Sequence, residues 1–321
     1  MKRSFSAFIF IFFAFTAHSI FAQKLDYRLY HQEVIKAETF IGEEKYQEAL
    51  QIFDSLFHNY EFVFLRDIQI ASQLAYFLKE EIKTTELIIK GIRSGWSKKS
   101  IRKNDFLKKW RASQKWKDLV KDNRIHFEKS IDQDLKKQVR KMFARDQWKA
   151  LGALFRLSAN GQDRYAERKF APHSEKQMRK LGQILKEKGY PGEKLVGQEV
   201  WMCTIICHHN SISKAYNERD TLYAHFKKDL EIAFEKGELS AFSRILIEEW
   251  FRAVQDLPQL SRMGILDGPS KENLTKVNEL RDSYSLRSIE VHNNLVDIEE
   301  KTGMNLYFDG HPWYGEKTEI H

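Results

Sequence analysis

Apolar residues recur three and four positions apart through most of the chain, and stretches that alternate apolar with polar are scarce. That spacing lines one face of an α-helix, so the sequence predicts an all-α protein. Five prolines and fifteen glycines are all that punctuate it, which leaves room for long helices. In "KYQEALQIFDSLF" the residues Tyr46, Ala49, Phe53 and Leu56 make one such face. Ile82, Thr85, Ile89 and Ile92 repeat the spacing 36 positions later. A small residue at the second position of each set lets a neighbouring helix approach, while the larger residues fill the groove beside it.

These two segments resemble tetratricopeptide-type helical hairpins, whose usual repeat is about 34 residues. The resemblance covers residues 30–95 and implies a pair of hairpins that docks on the rest of the chain, because two repeats bury too little surface to stand alone. Next comes "GWSKKSIRKNDFLKKWRASQKWKDLVKDNR", with ten basic residues between Lys98 and Lys121 against Asp105 and Asp118, and with Trp96, Trp110 and Trp116 interleaved. Basic residues with aromatics can bind nucleic acid. Here Phe106, Trp110, Trp116 and Leu119 keep helical spacing, so the aromatics read as a packed face and the lysines as its wet side.

Charge and the N-terminus then set the compartment. Lys2 and Arg3 precede an apolar run from Phe8 to Phe15, too short to span a bilayer, with a cleavage point after Ala22. This reads as a signal peptide over residues 1–22 and predicts an exported, periplasmic or extracellular protein. The net charge is +8, or +6 without Lys2 and Arg3, and both signs are scattered through the helical patterns. No later window approaches the roughly 20 apolar residues of a membrane span. Export also argues against a nucleic-acid partner. The remainder divides into a tetratricopeptide-like region over 23–125 and a helical domain over 126–321.

From about Lys136 to residue 295 the chain carries Asp146 and Gln147, the turn Gly189-Tyr190-Pro191, Val196-Gly197, Cys207-His208, and Asn278 with Arg281 in "VNELRDSYSL". This order resembles a bacterial domain family of unknown function whose members show Asp-Gln, Gly-Trp-Pro, Val-Gly, Gln-His and a late asparagine-arginine segment. The glutamine of the Gln-His pair is Cys207 here. Where the family shows Asp-Arg and then Gln-Tyr-Gly-Thr, this chain has "EEWFRAVQDLPQLSRM" and keeps Gln259. The resemblance implies a polar cluster of Asp146, Gln147, His208, Gln259 and Arg281, with no established activity attached to it.

The stretch "GYPGEKLVGQEVWMCTIICHHN" places both cysteines beside two histidines. On one helix from Lys194 to His209, with about 100° per residue, Val196, Val200, Cys203 and Cys207 form a core stripe within roughly 60°. His208 then shares a flank with Trp201 and Thr204, and His209 joins Gln198 on the exposed side. One helix cannot aim all four at one ion, so no metal or other cofactor is expected. Cysteines four apart on a helix sit too far apart for a disulfide, and predict buried free thiols.

His208, at the border of core and solvent, is the candidate acid/base residue, with Asp146 as the carboxylate fixing its tautomer. The same residues can equally satisfy one another between packed helices. Gly189 reads as a helix C-cap and Gly197 as a close helix crossing.

Near the C-terminus Pro269 and Ser270 can open a helix and Gly303 can end one, with a break over Ser283–Ser288 where the apolar stripe loses phase. Arg281 is expected to point toward Asp146 and His208. Two functions are open. One is a periplasmic interaction or binding module for a protein or peptide, drawing on Trp201, Gln147, Gln259 and Arg281. The other is a hydrolase with His208 as acid/base.

Overall fold

The computed structural model of the chain describes residues 26–122, 131–155, 158–255, 257–258, 262–308 and 315–321. The expected signal segment, much of the expected domain junction and Gln259 lie outside the described residues. Among the described residues every regular element is helical, as the three-and-four spacing predicts. None of these helices is long and apolar enough to cross a membrane.

Four helices make two antiparallel hairpins: α1 (Tyr27–Gly42) with α2 (Tyr46–Asn59), and α3 (Leu65–Phe77) with α4 (Glu81–Arg93). Asp26 starts α1 by accepting the Arg28 amide, the usual service of an N-cap carboxylate. Tyr46, Ala49, Phe53 and Leu56 are all buried, as their spacing requires. The second stripe is shifted from the expected register. Ile82 is 74 % exposed, and α4 instead buries Thr84, Leu87, Ile88, Gly91 and Ile92. The reason is Trp96, whose ring lies against Gly91 so closely that a Cβ there would stand 2.9 Å from it. Packing that indole rotates the buried face of α4 away from Ile82.

The basic stretch folds as three short helices, α5 (Lys98–Lys103), α6 (Lys108–Arg111) and α7 (Gln114–Lys121). Trp96, Trp110 and Trp116 are buried together with Ile88, Ile92, Ile101, Leu107 and Leu119. The tryptophans are core, and the lysines cover it.

The helices after this stretch are α8 (Gln133–Leu154), α9 (Ala159–Tyr165), a π-turn over Ala166–Phe170, α10 (Ala171–Glu187), α11 (Glu193–Val196) and α12 (Val200–Asn210). After them come α13 (Lys214–Arg219), α14 (Leu222–Glu235), α15 (Ala241–Val254), α16 (Leu274–Ser283) and α17 (Ile289–Thr302). Helix α12 runs through the middle of this half, packed by α8, α10 and α15. Its core includes Met178, Leu181, Tyr190, Met202, Ile205, Ile206 and Leu230.

The expected pair of helices near the C-terminus forms, with the break between Ser283 and Ile289. Ser288 caps α17, and Gly303 ends it in the left-handed conformation at φ 73°. Helix α16 starts at Leu274 rather than beside Ser270. The division of cores differs from a cut at residue 125: Leu295, Val296, Ile298, Met304, Leu306 and Phe308 join the core of the first two hairpins. The chain thus returns to its own start. Glu38 on α1 fixes that return, accepting from Arg66 at 2.7 Å and from Arg287 at 2.8 Å in a buried setting. A further tie is the stack of His31 on Phe234, 5.1 Å apart, which joins α1 to α14.

Candidate functional site

The helix assumed to run unbroken from Lys194 to His209 is two helices. Gly197 adopts φ 66° and ends α11, so its role is a left-handed cap, where other residues are strained, rather than a helix crossing. The new start at Val200 resets the phase of α12. Of the expected stripe Val196, Cys203 and Cys207 are buried in one core, while Val200 is 55 % exposed. Both are free and buried, with sulfur atoms 3.9 Å apart. Burial pushes the Cys207 thiol well above its ordinary pKa, which withholds the thiolate a nucleophile needs. Among the described residues no group of side chains could hold a metal ion.

The largest correction concerns the two histidines. His209 is not exposed but 1 % accessible, because Ser174 of α10, Tyr216 of α13 and Asp220 close over that side of α12. Its Nδ1 lies 3.0 Å from Ser174 Oγ and its Nε2 lies 3.1 Å from Asp220 Oδ2. Asp220 in turn accepts from the amides of Leu222 and Tyr223 at the start of α14. Burial would raise the Asp220 carboxyl, yet the His209 bond and these amides outweigh it and hold it below the usual carboxylate range.

His208, one residue earlier, keeps a side chain 30 % exposed. Its Nδ1 is 2.5 Å from Oδ2 of Asp146, a residue of α8 with no exposure at all. Its ring lies T-shaped to Phe170, with centroids 6.2 Å apart. The Asp146–His208 pairing expected from sequence is therefore present, with no hydrogen-bond partner for the second ring nitrogen among the described residues. Gln147 reaches the same carboxylate oxygen at 3.5 Å, the limit of a hydrogen bond.

His208 lines a cleft of about 490 Å³ between the hairpins and the later helices. The walls are largely apolar, with Leu65, Phe242, Leu246, Trp250 and Tyr307 among them, and Thr204, Cys203 and Cys207 also face it. Glu199, a residue that belongs to none of the sequence motifs, lines the cleft as well. Burial raises its carboxyl above the ordinary range against the pull of Ser243 and Ser240. Its oxygens accept from the amides of Ser240 at 3.1 Å and Glu193 at 3.3 Å. An acidic residue between Gly197 and an apolar helix was the available signal. Glu193 and Arg66 line both this cleft and an adjoining cavity of about 110 Å³.

The remaining expected members sit elsewhere. Trp201 is half-buried and stacks on Phe143 at 6.2 Å, so it supports the α8–α12 contact. Arg281 is fully buried, but it donates to the carbonyls of Arg287 at 2.8 Å and Met263 at 2.7 Å. The expectation of Arg281 as a charge partner of Asp146 is thereby corrected: the guanidinium ties the α16–α17 turn to the segment after α15. Asn278 does similar work, with its amide on Glu290 and its carbonyl on the Ile289 amide. Compared with family models, with curated proteins and with solved structures, the chain matches none of them.

Proposed function

We propose that the chain is a binding module that takes a short, largely apolar peptide segment into the cleft between the hairpins and the later helices. The observation that carries this reading is a cleft of about 490 Å³ with largely apolar walls, lined also by Glu199 and His208. That volume lies within the range of ligand sites. Nine residues along a helix separate the two polar groups by roughly 13 Å, a span of about four residues of extended chain. The Glu199 carboxyl, an acceptor in its present bonds, can also accept from a backbone amide of the segment, and a histidine fixed on Asp146 offers its other nitrogen. The apolar run over Phe8–Phe15 supports an exported setting for this module.

A tetrapeptide library screened by thermal shift tests it. Members with apolar side chains raise the melting temperature of the wild-type protein, and Thr204→Trp, which fills the cleft from its rim, abolishes the shift. Equal shifts in both proteins would remove the cleft from the binding site.

The half-open His208–Asp146 pair favours a second reading, hydrolysis of that peptide with His208 as general base for water. Ser211 is not its nucleophile, since that hydroxyl donates to the His208 carbonyl at 3.2 Å. Nor can Glu199 serve the same bond, being too distant for paired acid/base work. Fluorogenic tetrapeptides separate the two readings. Turnover that falls about a hundredfold or more in His208→Ala supports hydrolysis, and binding without turnover leaves the module.

A further inference from the structure

On the face of α8 turned away from the cleft, Lys141, Arg145 and Lys149 stand opposite Lys176 and Lys180 of α10 across a groove of about 510 Å³. All five are exposed, and among the described residues no carboxylate lines the groove. Their convergence is felt by His173 at its floor. Burial first, and then Lys149, Arg145 and Lys176, push that imidazole below its ordinary value against the attraction of Asp146. Five cations held together without carboxylate partners repel one another, and an anionic partner relieves that cost.

The same helix exposes large apolar side chains beside the cations. Trp148 is 76 % exposed, Leu151 43 % and Phe155 79 %. At about 100° per residue these three occupy one edge and Lys141, Arg145 and Lys149 the other edge of a single face roughly 160° wide. Trp148 itself lines the groove. A soluble polyanion would use the cations and leave Leu151 and Phe155 in water. A bilayer surface uses both, since phosphate headgroups meet the lysines while the tryptophan and its neighbours enter the interface.

We propose that the α8–α10 face, with its five cations and the Trp148–Leu151–Phe155 edge, is a docking surface for a membrane rich in anionic phospholipid. Docking there leaves the cleft beside His208 open, because Asp146 faces inward from the opposite side of α8.

Vesicle flotation tests this, using the chain from Gln23, which keeps every described residue. The protein floats with vesicles of mixed phosphatidylglycerol and phosphatidylcholine and stays behind with phosphatidylcholine alone. Arg145→Glu with Lys149→Glu lowers the partition by about tenfold or more, and raised salt does the same. Trp148→Ser with Phe155→Ser, which leaves the charge unchanged, also lowers it about tenfold. Unchanged melting curves establish that these exposed substitutions leave the fold intact. As a second readout, brominated phosphatidylglycerol quenches the wild-type emission more than that of Trp148→Phe. The proposal is overturned if the wild type floats equally with both lipids or with neither. It is equally overturned if the charge variant binds like the wild type. Loss in the charge variant alone, with the Trp148/Phe155 variant and the quenching unaffected, identifies a soluble polyanion instead and also overturns it.

Discussion

His208 and His209 are neighbours on α12, each bonded to an aspartate from another element, yet one opens onto a cleft and the other is sealed. His209 sits in a relay with Ser174 and Asp220 whose bonding order is that of a hydrolytic triad. Ser174 and His209 are 0 % and 1 % accessible, so no substrate reaches the hydroxyl. His208 has a shorter bond and no hydroxyl partner, but 30 % of its side chain is exposed. Bonding pattern alone would select the wrong histidine. Access decides which of the two can meet a ligand, and the hydrogen bonds then decide what it can do there.

The largest effect that sharpens this contrast is on stability. His209→Ala removes a buried ring and strands Ser174 and Asp220, and is expected to cost about 3 kcal/mol in denaturant unfolding. Peptide binding in the cleft should be unchanged when measured below the lowered melting point. The pH dependence carries a sign. Because folding depresses the Asp220 carboxyl, its contribution is fully present above the ordinary carboxylate value of about 3.9 and is lost as pH falls through the lower folded value. The wild type therefore loses stability on that acid limb, and His209→Ala, whose Asp220 lacks its largest favourable partner, loses less of it. An identical acid limb in both proteins would separate Asp220 from His209 energetically.

How much of this was legible depends on where each residue finds its partners. The face Tyr46, Ala49, Phe53, Leu56 is set within one helix, and the break before Ile289 is set by local serine chemistry, so both could be read from spacing. The buried tryptophans of the basic stretch could be read in the same way. The shifted stripe of α4 could not, because it is dictated by Trp96 folding back on Gly91. The side of α12 that carries His209 was misassigned for two reasons. Gly197 breaks the helix where a continuous phase was assumed, and α10 together with Tyr216 and Asp220 covers a face that a two-sided helix would leave wet. Arg281 was expected to point toward Asp146 and His208, but its carbonyl partners arise from the packing of α16 and α17, which no motif order encodes.

A medium effect should come from Asp146, and on ligand rather than on fold. Asp146→Asn keeps an oxygen for His208 Nδ1 but replaces the carboxylate that orients the ring by an amide, a weaker acceptor. Peptide affinity, or turnover where it occurs, is expected to fall about tenfold or more while the melting temperature moves little. Asp220→Asn should do the reverse, lowering stability and leaving the cleft intact. Calorimetric titration of both variants with the same tetrapeptide reads the two arms together. If both lost affinity equally, the open and sealed sites would be one coupled unit along α12, and access would no longer distinguish them.

The smallest effect is expected at Gln147, and it tests whether the Asp-Gln pair acts as a unit. Asp146 Oδ2 faces His208 at 2.5 Å but Gln147 at 3.5 Å, while its Oδ1 has no hydrogen-bond partner among the described residues. A hydrogen bond weakens steeply toward that longer separation, so the amide contributes little to holding the carboxylate. Gln147 is also half-exposed, and water can replace its amide when it is removed. Gln147→Ala should then cost under about 0.5 kcal/mol in unfolding and leave peptide affinity within about twofold of the wild type. A loss matching that of Asp146→Asn would mean that Gln147 swings toward Asp146 when ligand is bound. The open site would then comprise three residues, and the distinction between it and the sealed relay would rest on ligand-induced order as much as on access.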